Sequence, residues 1–241
     1  MQTSQDRSKL KQRRTITYFV EAAREIVEQE GIAAVTIRRA AHLAGYASAT
    51  LYNYFDSLPH LVFLATMSCL DDYHAALSGY LEGCDNSLEG HVAVCKCFSE
   101  FAFAHPEVYE LIFFTLSREK IEEYTYQYYD LFPGKVAREW SAPFNKVLNI
   151  NNMSACNRDM LTCCVEEGFF TDERAADYLD VSLRLFKSIL QDVRSGNLNK
   201  DTAVALIMKY FFQLMSRYVL PEKQGLLARA RKRWDQPSAA G

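Results

Sequence analysis

The chain has 241 residues, 49% of them hydrophobic, and a formal net charge of −3. That is enough apolar material for one or two domains with a substantial core. No charged-then-apolar leader opens the chain. Every apolar run is broken by Asp, Lys, Arg or Gln well short of the ~20 residues a membrane span needs. The expectation is a cytoplasmic protein with no membrane partner.

The seven cysteines (Cys69, Cys84, Cys95, Cys97, Cys156, Cys163 and Cys164) are odd in number and fit no compact disulfide framework, so reduced thiols are expected. The charge is unevenly spread. Residues 1–14 carry Arg7, Lys9, Lys11, Arg13 and Arg14 against Asp6 alone, while the rest of the chain is acidic. A cationic end on an acidic body suits a polyanionic partner at that end.

Pro and Gly are scarce, 3.6-residue periodicity is widespread and no alternating strand pattern stands out, so the class is all-α. Residues 1–11 are expected as a basic flexible arm. Ile16, Phe19, Val20, Ala23, Ile26 and Val27 form one face of a helix over Arg13–Gln29, which Gly31 stops. Thr36 caps a second helix to Leu43. Ala44-Gly45-Tyr46 is a turn, and a third short helix covers Ala47–Asn53. Ser57 caps a fourth helix that runs to Leu81, with Pro59 in its first turn. Further helices are expected over 88–104, 107–116, 118–131, 135–149, 154–167, 172–195 and 200–219. Residues 221–241 are expected as a basic, frayed tail.

Two short helices joined by a glycine turn make a helix-turn-helix, here about 36–55. Gly45 tolerates the positive φ of such a turn. Ala40, Ala41 and Ala44 permit close helix crossing, and Ile37, Leu51 and Phe55 supply the buried side. The outward face of the third helix is small and hydrogen-bonding, as a helix entering the DNA major groove requires.

The stretch TIRRAAHLAGYASATLYNYFDSLPHL, preceded by Ala23 and Gly31, resembles the helix-turn-helix of TetR-type transcriptional regulators. The shared positions are Thr36, Ala41, Ala44-Gly45, Thr50-Leu51-Tyr52, Tyr54-Phe55, Ser57 and Leu61. The resemblance covers roughly residues 12–62, and it implies a DNA-binding domain there followed by a helical effector-binding and dimerisation domain over 63–220. By the same resemblance Thr36 meets a phosphate at a helix N-terminus, and Ser48, Ala49 and Thr50 read bases. Tyr52 and Tyr54 touch the DNA backbone, while Arg38, Arg39 and Asn53 add contacts. Lys11, Arg13 and Arg14 supply further positive charge. Two positions depart from the pattern. Ala47 replaces a frequent capping serine, and Leu58 replaces a phosphate-binding lysine.

The partners this implies are a palindromic double-stranded operator, a second copy of the chain and a small apolar or aromatic effector whose binding relieves repression. Aromatic residues are dense over 98–144. Phe98, Phe101, Phe114, Tyr124 and Tyr128 are the candidate pocket wall. The apolar stripes of the last two long helices are candidates for a four-helix dimer interface, through Leu179, Leu183 and Phe186 on one and Leu206, Tyr210 and Leu214 on the other.

The alternative is a helical ligand-binding or thiol- or metal-sensing protein whose DNA binding is incidental. Its support is His91 with Cys95 and Cys97, and Cys163-Cys164. Adjacent cysteines face different ways on a helix, so no metal is expected. No catalytic constellation and no cofactor motif is present, so an enzyme is not expected.

Overall fold

The computed structural model describes residues 4–132 and 153–235, and among them every regular element is helical. They are α1 (Ser4–Glu30), α2 (Ile37–Leu43), α3 (Ser48–Leu51), α4 (Leu58–Leu81), α5 (Ser87–Ala104), α6 (Pro106–Glu110), α7 (Arg118–Leu131), α8 (Met153–Glu166), α9 (Asp172–Arg194), α10 (Lys200–Tyr218) and α11 (Gln224–Asp235). No described helix is long and apolar enough to cross a membrane. The helix expected over 135–149 lies outside the described residues.

Three expectations need correcting. From Ser4 on, the basic N-terminal segment is not a flexible arm but the first turns of α1. Its Lys, Arg, Gln and Leu are strong helix formers, and no Gly or Pro interrupts them. Nor is the tail frayed over Gln224–Asp235, where it forms α11 with Leu227 and Ala230 buried; residues 236–241 lie outside the described residues. Finally, the helix expected over 107–116 is a short α6 that widens into one π-type turn over Leu111–Thr115.

The chain divides into two compact units, Met1–Asp72 with Glu107–Arg138, and Tyr73–Pro106 with Glu139–Gly241, the division falling within α4. In the first unit Phe19 is fully buried, 5.3 Å from the Tyr46 ring and 5.9 Å from that of Phe55. Val20, Ala23, Ile26, Ala40, Ala41, Leu51 and Leu61 complete this core. Residues 107–132 belong to the same unit. Tyr128 of α7 is buried and donates to Asp71 Oδ2 at 2.8 Å, and Arg13 donates to the Asp130 carbonyl.

In the second unit α5 packs against α8, α9, α10 and α11. Asn86 caps α5 by accepting from the Glu89 N–H at 3.0 Å, while Glu89 Oε2 accepts from the Asp85 N–H at 3.1 Å. The arrangement is similar to a capping box with Asn in place of Ser, except that the glutamate reaches the residue before the cap. Thr171 and Asn199 cap α9 and α10 by accepting from the Arg174 and Thr202 N–H groups, with no return bond. Arg233 of α11 donates to the Glu82 and Gly83 carbonyls just beyond α4, and Trp234 stacks on Tyr80 at 6.3 Å.

Candidate nucleic-acid interface

The interface is built from local chain chemistry. Thr36 is extended (φ −129°), and its Oγ1 accepts from the Arg39 N–H at 3.2 Å. The remaining first-turn N–H groups of α2 have no internal acceptor by helix geometry, which suits them to phosphate oxygens. At the other end the Gly45 N–H donates to His42 O at 3.1 Å and the Tyr46 N–H to Ala41 O at 2.9 Å. This paired C-terminal closure needs a left-handed residue, and Gly45 has φ +78°. It turns the chain into α3 and places Tyr46 on Phe19.

Ala47 precedes α3 without a side-chain cap, and α3 is only Ser48–Leu51. It is shorter than the expected Ala47–Asn53. No side chain accepts from its first-turn amides, and residues 52–54 continue as turns. Leu51 and Phe55 point inward, at 0% and 2% exposure. Ala49 and Asn53 are exposed, Tyr52 is 63% exposed, and Ser48, Thr50 and Tyr54 are half-buried. Ala49, Tyr52 and Asn53 are thus open to solvent on α3 and its exit, while Leu51 and Phe55, four residues apart, anchor it. Ile37 is only half-buried, so Leu51 and Phe55 carry most of that anchoring.

The basic candidates behave differently from one another. Lys11, Arg14 and Arg38 are exposed. Arg13 is half-buried and held by the Asp130 carbonyl. Arg39 forms a two-pronged pair with Glu30 and also donates to Ala34 O at 3.1 Å. Bonding to Arg39 holds the Glu30 carboxyl below its usual range and raises the Arg39 guanidinium above its own. In this conformation Arg39 is committed to Glu30, and Arg38 is the unencumbered cation of α2.

Sequence reasoning missed two features. His42 is exposed one turn beyond Arg38, and both line a groove of about 540 Å³ between α1, α2 and the start of α3. Their i, i+4 spacing was the available signal. The exit from α3 is also fastened. Asp56 accepts from Lys120 Nζ at 3.0 Å and from Tyr124 Oη at 3.4 Å, and the buried His60 ring stacks on Tyr124 at 3.8 Å. No sequence pattern announces contacts between positions more than sixty residues apart.

The candidate pocket residues fall in both units. In the second, Phe98 and Phe101 both meet Tyr73 edge-on, at 5.7 and 6.0 Å. In the first, Tyr124 and Tyr128 are buried and Phe114 is half-buried. Among the dimer candidates, Phe186 is 3% exposed and packs on Phe98 and Phe103, each at 5.2 Å, so its ring serves the core of its own unit. Leu179, Leu183, Leu206, Tyr210 and Leu214 are half-buried, leaving apolar surface open along α9 and α10.

Cys95, Cys97 and Cys164 are poorly placed for sensing. Cys95 lies 3.6 Å from His91 Nε2, while Cys97 sits among Tyr73, Leu77, Val94 and Met160. Burial pushes the Cys95, Cys97 and Cys164 thiols up to about 12, so little reactive thiolate forms at neutral pH. Among the described residues no three His, Cys, Asp or Glu gather into a metal-binding group.

Residues 19–62 match the family model "Bacterial regulatory proteins, tetR family". No curated protein matches the chain in sequence. Among solved structures the chain is similar to RolR in complex with resorcinol. The TM-score is 0.59 and the identity 15%, over 96% of this chain and 98% of that one. It is also similar to a TetR transcriptional regulator from Rhodococcus sp. RHA1. Here the TM-score is 0.50 and the identity 20%, over 86% and 97%. At these identities the likeness is one of fold, and it extends beyond the matched N-terminal segment.

Proposed function

We propose that this protein, whose residues 19–62 match the model of the tetR family of bacterial regulatory proteins, is a sequence-specific DNA-binding transcriptional regulator. It acts as a homodimer that represses from a palindromic operator and is released by a small apolar or aromatic effector. The observation that carries the reading is the division of labour in α3 and its exit. Leu51 and Phe55 are sunk in the core, whereas Ala49, Tyr52 and Asn53 face solvent beside the Thr36-capped start of α2.

Thr36 and Tyr52 set the register by holding phosphates, and Ser48, Ala49 and Thr50 approach base edges. The half-exposed stripes of α9 and α10 support pairing of two subunits, which places two recognition helices about one DNA turn (~34 Å) apart or a multiple of it. Effector binding in the helical body alters that spacing. The aromatic content of the body fits an aromatic or apolar ligand, and RolR, similar in fold, is described with resorcinol.

The test is fluorescence anisotropy of the full chain on the duplex upstream of its own gene and on duplexes from an unbiased selection. Scrambled DNA is the control, over a range of salt concentrations. Tight binding that depends on sequence, lost in Tyr52→Ala and Thr50→Ala proteins of unchanged helicity, is the expected result. Equal weak binding to every duplex would sink the reading.

A further inference from the structure

His60 sits in the first turn of α4, directly after the helix-turn-helix, and is 3% exposed. Three faces of its ring are engaged. It stacks on Tyr124 at 3.8 Å with an interplanar angle of 3°, and meets Phe55 edge-on at 5.4 Å. Its Nδ1 accepts from the Asp56 backbone N–H at 3.3 Å. That bond fixes the tautomer, because Nδ1 must then be bare and Nε2 must carry the proton. Nε2–H accordingly donates to Gln127 Oε1 at 2.6 Å.

The gripping side chains Lys120, Tyr124 and Gln127 are spaced i, i+4, i+7 and form one face of α7. Lys120 also pairs with Glu123 of its own helix and Tyr124 also packs on Phe63, but their contacts to Asp56 and His60, with that of Gln127 to His60, meet where the recognition segment ends. This latch works only with a neutral imidazole. A proton on Nδ1 sets one donor against another, the Asp56 N–H. The ring then has a reason to turn toward the Asp56 carboxylate 4.0 Å away, which Lys120 already holds.

We infer that neutral His60 is a positioning residue that latches the exit of the recognition helix to α7, making the geometry of the DNA-reading segment depend on α7 docking and on pH. The consequence for operator binding rests on the regulator reading above.

Burial lowers the His60 pKa, opposed by its bond to Gln127 and by the Asp56 and Glu123 carboxylates, with Lys120 adding to the lowering. Tyr124, the other titratable group facing the ring, is raised by burial and stays neutral. The latch is therefore complete above the ordinary histidine range and opens as pH falls through the lowered His60 value.

Two variants of the full chain test the inference. Gln127→Glu places a carboxylate on Nε2–H, which favours the charged ring and moves the opening to higher pH. His60→Phe keeps a stacked ring but removes the proton-dependent bonds. The readouts are hydrogen exchange of the 47–56 amides, corrected for intrinsic pH dependence, and operator affinity, both followed from neutral pH down through the acid range in which circular dichroism shows the protein still folded. For wild type the expected result is faster exchange in 47–56 and about tenfold weaker binding on acidification. Gln127→Glu should show the same transition at higher pH, and His60→Phe should show none. A midpoint unmoved in Gln127→Glu, or a wild-type response retained in His60→Phe, would overturn the latch. An exchange pattern as expected, with no duplex bound at any pH, supports the latch and overturns the DNA-binding reading instead.

Discussion

His91 illustrates how much one buried group decides. Its ring is wholly enclosed in the second unit, with Nε2 3.0 Å from Tyr178 Oη and Nδ1 without a partner. Burial takes its pKa down to about 4. The unfolded chain binds a proton near 6.5 and the folded chain does not, so stability is full above that value. It falls as pH drops from about 6.5 toward 4, by about 3 kcal/mol in total. We predict that His91→Gln, followed by denaturant titration across this range, flattens that acid limb. An unchanged slope would show that another group governs it.

Arg39 invites a test at the same scale. Its bond to Glu30 is exposed, so it contributes little to the fold. Breaking it releases a cation beside the α2 N-terminus. Glu30→Gln is expected to leave the melting temperature nearly unchanged. If the freed Arg39 reaches a phosphate, the salt dependence of DNA binding steepens by about one unit of slope. An unaltered slope would remove Arg39 from the interface.

Among the elements, α3 is the one most limited by its own sequence. With Ala47 at its cap it has no side-chain acceptor, and only one turn is helical. Ala47→Ser supplies the acceptor and should add about 1 kcal/mol of stability. Calorimetry checks the number, and the chain need not gain affinity for it. At the other end of the chain α11 is held by Leu227, Ala230 and Arg233. Leu227→Ala should cost about 2–3 kcal/mol, read from chemical denaturation. A cost near zero would restore the picture of a frayed tail.

The contrast between these two elements shows what local sequence can disclose. Thr36 and Gly45 announce themselves because cap and turn chemistry act within a few residues, and both are found doing that chemistry. Leu227, Ala230 and Trp234 also recur at helical spacing, but in so basic a stretch that charge masked the stripe. For Phe186, periodicity identified the apolar face of α9 correctly and said nothing about which neighbour covers it. The His60 latch was illegible for a different reason. Its partners are distant in sequence, and the neutral ring it needs is set by burial.

On the scale of the molecule, the division of the chain carries the main lesson. The helix-turn-helix is not a unit by itself, because α6 and α7 belong with it, and a boundary after residue 62 cuts through their shared unit. We predict that a fragment ending at residue 62 is poorly folded by circular dichroism, since it leaves His60 without Tyr124 and Gln127. A cooperative melt of that fragment would contradict this. The pairing of subunits belongs to the same scale. Leu183→Glu with Leu214→Glu, placed on the half-exposed stripes of α9 and α10, should give a monomer by light scattering and keep its helicity. Operator affinity should fall steeply, because one half-site then binds alone. A dimer surviving both changes would move the interface elsewhere.

Trp234, stacked on Tyr80 with Arg233 beside it, has an optical consequence. The chain has two tryptophans, the other being Trp140. In a Trp140→Phe protein all indole emission comes from the contact between α11 and the end of α4. Its wavelength and quenching then report that contact without any attached dye. Titrating candidate effectors into such a protein tests whether any of them disturbs that contact, before any operator is known.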